Sequence, residues 1–240
     1  MVRLIGKFGF LNNYLPYYHV NGKVVEASPK EMATMLLEGK IVYAPVPSFF
    51  YLRNKEILRI YRFCVASDGR VLSVAVFSKS GKLGERIGAT TKSVTSVNML
   101  RIILAERGTR AKIFEVDAPD IARFDSVLLI GDEALRALLK YRVAMDVGEA
   151  WKDLTGLPAV FGVSASLKNV DASRYDEMIL ESTRKAYENF EEVVSSAAKA
   201  FRYPEELVRE YFSLLRFELR EKERRGLREF EELARAHKLL

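Results

Sequence analysis

A run of small hydroxyl residues opens the helix predicted over residues 92–104. Ser93, Thr95 and Ser96 fall within its first turn, and apolar residues then recur with the helical period. Hydroxyl side chains cap the free N–H groups of a helix start, where the helix dipole also favours negative charge. A single hydroxyl is best explained as an ordinary N-cap. Several within one turn, preceded by Lys92, favour a site that holds a carboxylate or phosphate.

Two further polar residues stand where the local pattern favours other residue types. Asn12 follows the first predicted strand, residues 2–9, where α/β proteins commonly place ligand groups. An Asx turn is an equally common explanation for it. Ser73 interrupts an otherwise apolar strand predicted over residues 71–77, and a lone buried serine ordinarily bonds a backbone carbonyl. Both interpretations stay open for each residue.

Composition excludes most other kinds of site. The chain has 240 residues, 49% of them hydrophobic, which suits one large α/β unit or two smaller lobes. Cys64 is the only cysteine, which excludes disulfides, zinc ribbons and CxxC redox pairs. The two histidines, His19 and His237, are far apart in sequence, so neither a histidine-rich metal site nor a Ser-His-Asp triad is expected. Walker A and dinucleotide-binding loops are absent. We expect neither a metal ion nor a cofactor.

The charge pattern bears on partners and location. The net charge of +6 favours acidic ligands. Acid–base pairs at helical spacing occupy residues 216–238, so we expect a solvated helix face there and not a nucleic-acid surface. These pairs are Glu218–Lys222, Glu221–Arg225 and Glu231–Arg235. No segment is apolar enough to span a membrane, and the first seven residues do not resemble a signal peptide. We expect a cytoplasmic protein with no nucleic-acid or membrane partner.

Alternating strands and helices must position these groups. The βαβ rhythm predicts mainly parallel sheets. Asp132 is predicted to cap a helix over residues 133–141, and everything after residue 176 is predicted helical. The rhythm is interrupted near Gly84 and resumes near Lys168. We therefore predict two lobes, the first formed by residues 1–86 and 168–240 and the second by residues 87–167.

Five segments carry a family resemblance that covers nearly the whole chain. They are FLN at 10–12, SDGRVLSV at 67–74, SVTSV at 93–97, LLIGDEAL at 128–135, and DVGEAW followed by LTGLP within 146–158. Taken in order, they resemble the chorismate dehydratase family of the futalosine route to menaquinone. The resemblance implies an α/β fold like that of type II periplasmic binding proteins, with two lobes, a ligand cleft between them, and a helical C-terminal tail on the first lobe.

The resemblance also implies an activity and its residues. The family removes the ring hydroxyl of chorismate as water, giving 3-[(1-carboxyvinyl)oxy]benzoate. By position, Asn12 and Ser73 match the asparagine and serine implicated in catalysis, while Thr95 and Ser96, which follow Ser93, match the helix start that holds an anion. None of these residues is a strong base. We therefore expect the enolpyruvyl carboxylate of the substrate to take the proton, while Asn12 and Ser73 orient the substrate or assist the leaving hydroxyl.

The chain departs from the family pattern near these residues. An extra residue follows Asn12, and Phe50 stands where the family often has an acid. Ala159 and Ser164 replace bulkier residues. A non-catalytic intracellular binding protein for a small aromatic or dicarboxylic acid, on the same fold, is therefore the alternative. A nucleic-acid-binding function is the third possibility, and only the basic pI supports it. We expect chorismate as the only partner besides, at most, a second copy of the chain, so a monomer or a homodimer.

Overall fold

The predicted alternation of strands and helices runs along the chain in the computed structural model, which describes residues 4–240. The strands are β1 (Ile5–Phe8), β2 (Val24–Ala27), β3 (Ala44–Pro47), β4 (Leu58–Ser67), β5 (Val74–Ser78), β6 (Arg86–Thr90), β7 (Lys112–Val116), β8 (Ser126–Ile130), β9 (Arg142–Asp146), β10 (Ala159–Leu167) and β11 (Leu215–Glu218). The helices are α1 (Tyr14–Tyr17), α2 (Pro29–Leu37), α3 (Ser48–Asn54), α4 (Val94–Glu106), α5 (Gly131–Ala137), α6 (Val147–Thr155), α7 (Ser173–Glu188), α8 (Phe190–Phe201), α9 (Glu205–Leu214) and α10 (Glu221–Ala236). A 3₁₀ turn, Leu11–Asn13, precedes α1.

Unit 1 is formed by residues up to 66 and by residues 160–221. One sheet pairs β1 and β2 in parallel, and a second has the order β11-β4-β10-β3, with β10 antiparallel to β3. A parallel bridge between Ile5 and Tyr43 places β1 beside the segment that leads into β3. Both strands therefore point their carboxyl ends toward the same side of unit 1.

Unit 2 is formed by residues 67–159 and 222–240 around a five-stranded sheet of order β7-β6-β8-β5-β9. Strand β6 runs parallel to both β7 and β8, whereas β5 runs antiparallel to both β8 and β9. The carboxyl ends of β6, β8 and β9 therefore meet the amino end of β5 at one edge of this sheet.

The predicted lobe boundaries differ from this division. The chain leaves unit 1 after residue 66, not 86, and returns at residue 160, not 168. Its C-terminal helix α10 belongs to unit 2 and not to the first lobe. The ring of Phe230 packs edge-on against Trp151 at 5.6 Å between centroids, and a Cβ on Gly226 would lie 2.2 Å from the carbonyl oxygen of Pro158. Burial of this apolar face against unit 2 accounts for the placement.

Two further predictions about the fold are wrong. The sheets are not mainly parallel, because β5 runs antiparallel to β8 and β9 in unit 2 and β10 runs antiparallel to β3 in unit 1. Residues 79–85 between β5 and β6 contain no crossover helix, so the chain reverses there and β6 runs opposite to β5. The C-terminal region is not wholly helical, since β11 interrupts it. Glu218 in that strand pairs with Arg62 and Arg220, and Lys222 pairs with Asp68.

Several local predictions are confirmed. Ser28 and Glu31 form the predicted capping box of α2, and Ser93 caps α4. The predicted cap of α5 is wrong, because the helix begins two residues earlier than predicted, at Gly131, so Asp132 lies in its first turn and does not cap it. The Glu231–Arg235 pair forms at 2.8 Å. Across residues 4–240, helices long and apolar enough to cross a bilayer are lacking.

Candidate active site

In unit 1, Asn12 lies in the 3₁₀ turn directly after β1 and is half-buried. The neighbouring Asn13 is fully buried, and its Oδ1 accepts a hydrogen bond of 2.9 Å from the backbone N–H of Phe8. The Nδ2 of Asn13 donates to the Oδ1 of Asn12, also at 2.9 Å. No hydrogen bond joins the Nδ2 of Asn12 to any of residues 4–240. Asn13 is thus a structural residue that fixes Asn12, whose amide can still donate to a ligand.

Ser48 is a residue of unit 1 to which the sequence alone gave no role. Ser48 directly follows β3, and Asn12 follows β1. Because these two strands run in the same direction, both residues lie on the same side of unit 1. Its hydroxyl is fully buried and has no hydrogen-bond partner among the described residues. The prolines of the PVPS segment at residues 45–48 end the strand there and provide the only sequence signal.

In unit 2, the polar residues gather at the sheet edge where β6, β8 and β9 end and β5 begins. Ser73 precedes β5, Ser93 follows β6, and Gly131 follows β8, while Asp146 ends β9. The register aligns these positions, with Val74 opposite Ile130 and Ala75 opposite Asp146. We call the set Ser73, Ser93, Gly131 and Asp146 the unit 2 edge. Helices α4, α5 and α6 all start there, so their dipoles favour negative charge at this edge.

The start of α4 is arranged as a capped helix end. The Ser93 hydroxyl accepts from the backbone N–H of Ser96 at 3.3 Å and donates to its Oγ at 2.8 Å. Ser93 is half-buried, whereas Thr95 and Ser96 are each only 2% exposed. Lys92, which favoured an anion site in the sequence, forms an ion pair of 2.7 Å with Glu133. Of the three hydroxyl residues, Ser93 is therefore the most accessible to a ligand.

Ser73 lies just before β5 and not within the strand, and it belongs to unit 2 and not to the unit of Asn12. It is 3% exposed. Its N–H donates to the carbonyl of Val71, and its own carbonyl accepts from the N–H of Gly131, both at 2.7 Å. These backbone contacts fix Ser73 at the unit 2 edge, beside the start of α5.

Asp146 is the buried charged residue of the unit 2 edge, 6% exposed. Its carboxylate caps α6 by accepting from the N–H of Glu149 at 3.1 Å. Burial raises the pKa of Asp146 above its ordinary value, although backbone N–H donors, among them those of Leu72 and Val71, act in the opposite direction. Groups of His, Cys, Asp and Glu able to hold a metal ion are lacking within residues 4–240.

Comparison with known proteins identifies related sequences. A family model described as menaquinone biosynthesis matches residues 4–236. A chorismate dehydratase from Thermus thermophilus is 32% identical over 248 residues, which cover 92% of this chain and 91% of that protein.

Solved structures establish the fold. A protein from Archaeoglobus fulgidus superposes with a TM-score of 0.79 at 15% identity, covering 99% of this chain and 98% of that one. The periplasmic aliphatic sulphonate binding protein of Escherichia coli gives 0.69 at 13% identity, with 99% and 88% covered. The alkanesulfonate-binding protein of Xanthomonas axonopodis pv. citri bound to MOPS gives 0.70 at 14% identity, with 99% and 93% covered. The chain therefore has the predicted α/β fold of the periplasmic-binding-protein type.

Proposed function

This chain belongs to the chorismate dehydratase family of menaquinone biosynthesis, and we propose on that basis that it is a hydro-lyase that eliminates water from chorismate. The product is 3-[(1-carboxyvinyl)oxy]benzoate. The observation that carries the proposal is the 32% identity to a chorismate dehydratase along almost the full length of both chains. The polar unit 2 edge supports it, because chorismate is a dicarboxylate and helix starts bind carboxylates.

Within this proposal, the start of α4 holds one carboxylate of the substrate. Ser93 is the first contact, and the residues beneath it, Thr95 and Ser96, shape the helix start. A neutral site of this kind attracts the anion without a strong positive charge. That suits the structure, because the charge of the neighbouring Lys92 is already paired with Glu133.

Asn12 and Ser73 act on the reacting ring in the same proposal. One ring C–H bond and the neighbouring C–OH bond break, the hydrogen and the hydroxyl leave as water, and the ring becomes aromatic. The gain of aromaticity drives the reaction, so modest catalysis is sufficient. The enolpyruvyl carboxylate of the substrate takes the proton, while the amide of Asn12 and the hydroxyl of Ser73 orient the substrate or hydrogen-bond the departing hydroxyl.

We also propose that the enzyme needs no metal ion or cofactor and acts in the cytoplasm as a monomer or homodimer. The single cysteine, Cys64, has no second cysteine in the chain with which to form a disulfide, which is usual for proteins of reducing compartments. The elimination changes no oxidation state overall and transfers no group, so its chemistry requires no redox cofactor.

Incubating the purified protein with chorismate distinguishes the enzyme from a binding protein on the same fold. The proposal predicts that chorismate disappears and that the benzoate appears in equal amount, which proton NMR follows through the new aromatic ring signals. Saturable binding of chorismate by calorimetry without any product would favour the non-catalytic alternative. If chorismate were neither bound nor converted, both proposals would be ruled out for this ligand.

A further inference from the structure

The backbone that presents Ser73 has an unfavourable conformation. Leu72 has a positive φ of 61°, which residues with a Cβ rarely adopt. The N–H of Ser73 donates to the carbonyl of Val71, two residues earlier, so residues 71–73 form a tight turn centred on Leu72. Turns of this type with positive φ are rare and strained. Such strain persists only where the surrounding structure holds the backbone in place.

One side chain holds this turn. The carboxylate of Asp146 accepts from the N–H of Leu72 at 2.8 Å and from the N–H of Val71 at 3.0 Å and 3.1 Å through its two oxygens. Val71 and Leu72 are 1% and 4% exposed, so solvent does not replace these bonds. An ordinary N-cap requires only the bond to the N–H of Glu149, which Asp146 also makes. The bonds from the two N–H groups of the turn go beyond capping.

The loop before the turn also packs closely against the start of α6. A Cβ on Gly148 would lie 2.4 Å from the carbonyl oxygen of Gly69 and 2.6 Å from the Oγ of Ser67, so only glycine fits there. On the other side of the turn, the carbonyl of Ser73 is bound by the N–H of Gly131. Ser73 is therefore held from both sides, with Asp146 as the only ionisable group among these contacts.

We infer that Asp146 is a positioning residue for Ser73, because its carboxylate holds the strained turn at Leu72 that sets the location of the Ser73 hydroxyl. The role in catalysis rests on the proposed function. The effect on the turn does not, and it can be tested separately. Asp146 does not itself contact the substrate in this account.

Asp146→Ser separates the two roles, because a serine still caps α6 but is too short, with one oxygen, to hold the turn. We expect kcat for chorismate to fall by about tenfold or more while KM changes less. Ser28→Ala is the matched control, since it removes a helix cap from α2 in unit 1 and should leave kcat unchanged. An Asp146→Ser enzyme with the kcat of the wild type would overturn the inference. Asp146→Asn, which is nearly isosteric and leaves one acceptor oxygen, serves if the serine variant does not fold.

Two further measurements test the route through the turn. A crystal structure of Asp146→Ser should show Leu72 relaxed from its positive φ and Ser73 displaced, whereas an unchanged turn would overturn the inference even if the wild type did not act on chorismate. Leu72→Gly in the Asp146→Ser background should recover part of the lost kcat, because glycine adopts positive φ without strain. No recovery would mean that Asp146 does not act through the turn. A wild type without activity on chorismate contradicts the proposed function and leaves the structural result to decide the inference.

Discussion

The side chain of Asn13 holds the side chain of Asn12, with the Nδ2 of Asn13 donating to the Oδ1 of Asn12 at 2.9 Å. Asn13 therefore has a structural role beside Asn12. Asn13 is anchored in turn by the N–H of Phe8, so the pair is tied to the end of β1. The two asparagines have different roles, and substitutions should separate them.

Asn12→Ala should lower the single-turnover rate with chorismate by at least about tenfold, equivalent to roughly 1.4 kcal/mol in the barrier, because it removes a donor to the substrate. Its melting temperature should stay near that of the wild type. Asn13→Ala should instead reduce the free energy of unfolding by about 1–3 kcal/mol, because it leaves the N–H of Phe8 without a partner. A large rate loss for Asn13→Ala with little for Asn12→Ala would show that the site assignment is shifted by one residue.

Ser73→Ala should lower the same rate by at least about tenfold without unfolding the protein. Its backbone bonds to Val71 and Gly131 do not need the hydroxyl, so they survive the change. Ser78→Ala is the matched control at the other end of β5. Ser78 is equally buried and accepts from the N–H of Gly81, so its loss should cost stability on the order of 1 kcal/mol and leave the rate unchanged. Equal rates for the Ser73→Ala variant and the wild type would remove Ser73 from the catalytic account.

Ser96→Asp should weaken chorismate binding more than Ser96→Ala does. An acid in the first turn of a helix suits the helix dipole, so α4 should still form, but the new charge would repel a substrate carboxylate. Isothermal titration with chorismate compares the two variants, and thermal melting checks that both are folded. Equal affinities would argue against an anion site at the start of α4.

Asp176→Asn should destabilise unit 1 without a direct effect on chemistry. The buried carboxylate of Asp176 accepts from the hydroxyls of Tyr43 and Ser164 and from the backbone N–H groups of Arg62 and Phe63. Burial raises the pKa of Tyr43, and the nearby Asp176 raises it further, so the phenol stays a donor. An asparagine offers one acceptor oxygen for four donors, so we expect a loss of about 1–3 kcal/mol or more in urea unfolding.

Asp171→Asn is the control for that measurement, because Asp171 is exposed and accepts hydrogen bonds from the N–H and the hydroxyl of the nearby Ser173. It should leave the unfolding midpoint nearly unchanged. An Asp176→Asn variant as stable as the wild type would mean that the four hydrogen bonds contribute little to the fold.

Local chemistry made part of the structure predictable. The hydroxyl run and the apolar period were enough to predict α4 and its cap Ser93, and the capping box predicted the start of α2. These signals lie within a few residues of one another, so no long-range contact is needed to interpret them.

The contacts that the sequence did not reveal are long-range. The apolar face of α10 indicates that this helix is buried. It does not indicate that the helix packs against Trp151 of unit 2. The turn before Ser73 is equally hidden, because Leu72 is not a residue that signals positive φ. The turn depends on Asp146, which lies more than seventy residues away in sequence. For this reason Ser73 was predicted within a strand and in the wrong unit.

The central claim is that this chain converts chorismate to 3-[(1-carboxyvinyl)oxy]benzoate through its own polar residues, without a metal ion. The most direct test is a single-turnover reaction with enzyme in excess over chorismate, in the presence of EDTA, for the wild type and for Ser73→Ala. The account predicts complete conversion by the wild type and a rate at least about tenfold lower for the variant. An EDTA-treated wild type that forms no benzoate, and regains activity only when a divalent ion is added, would contradict it.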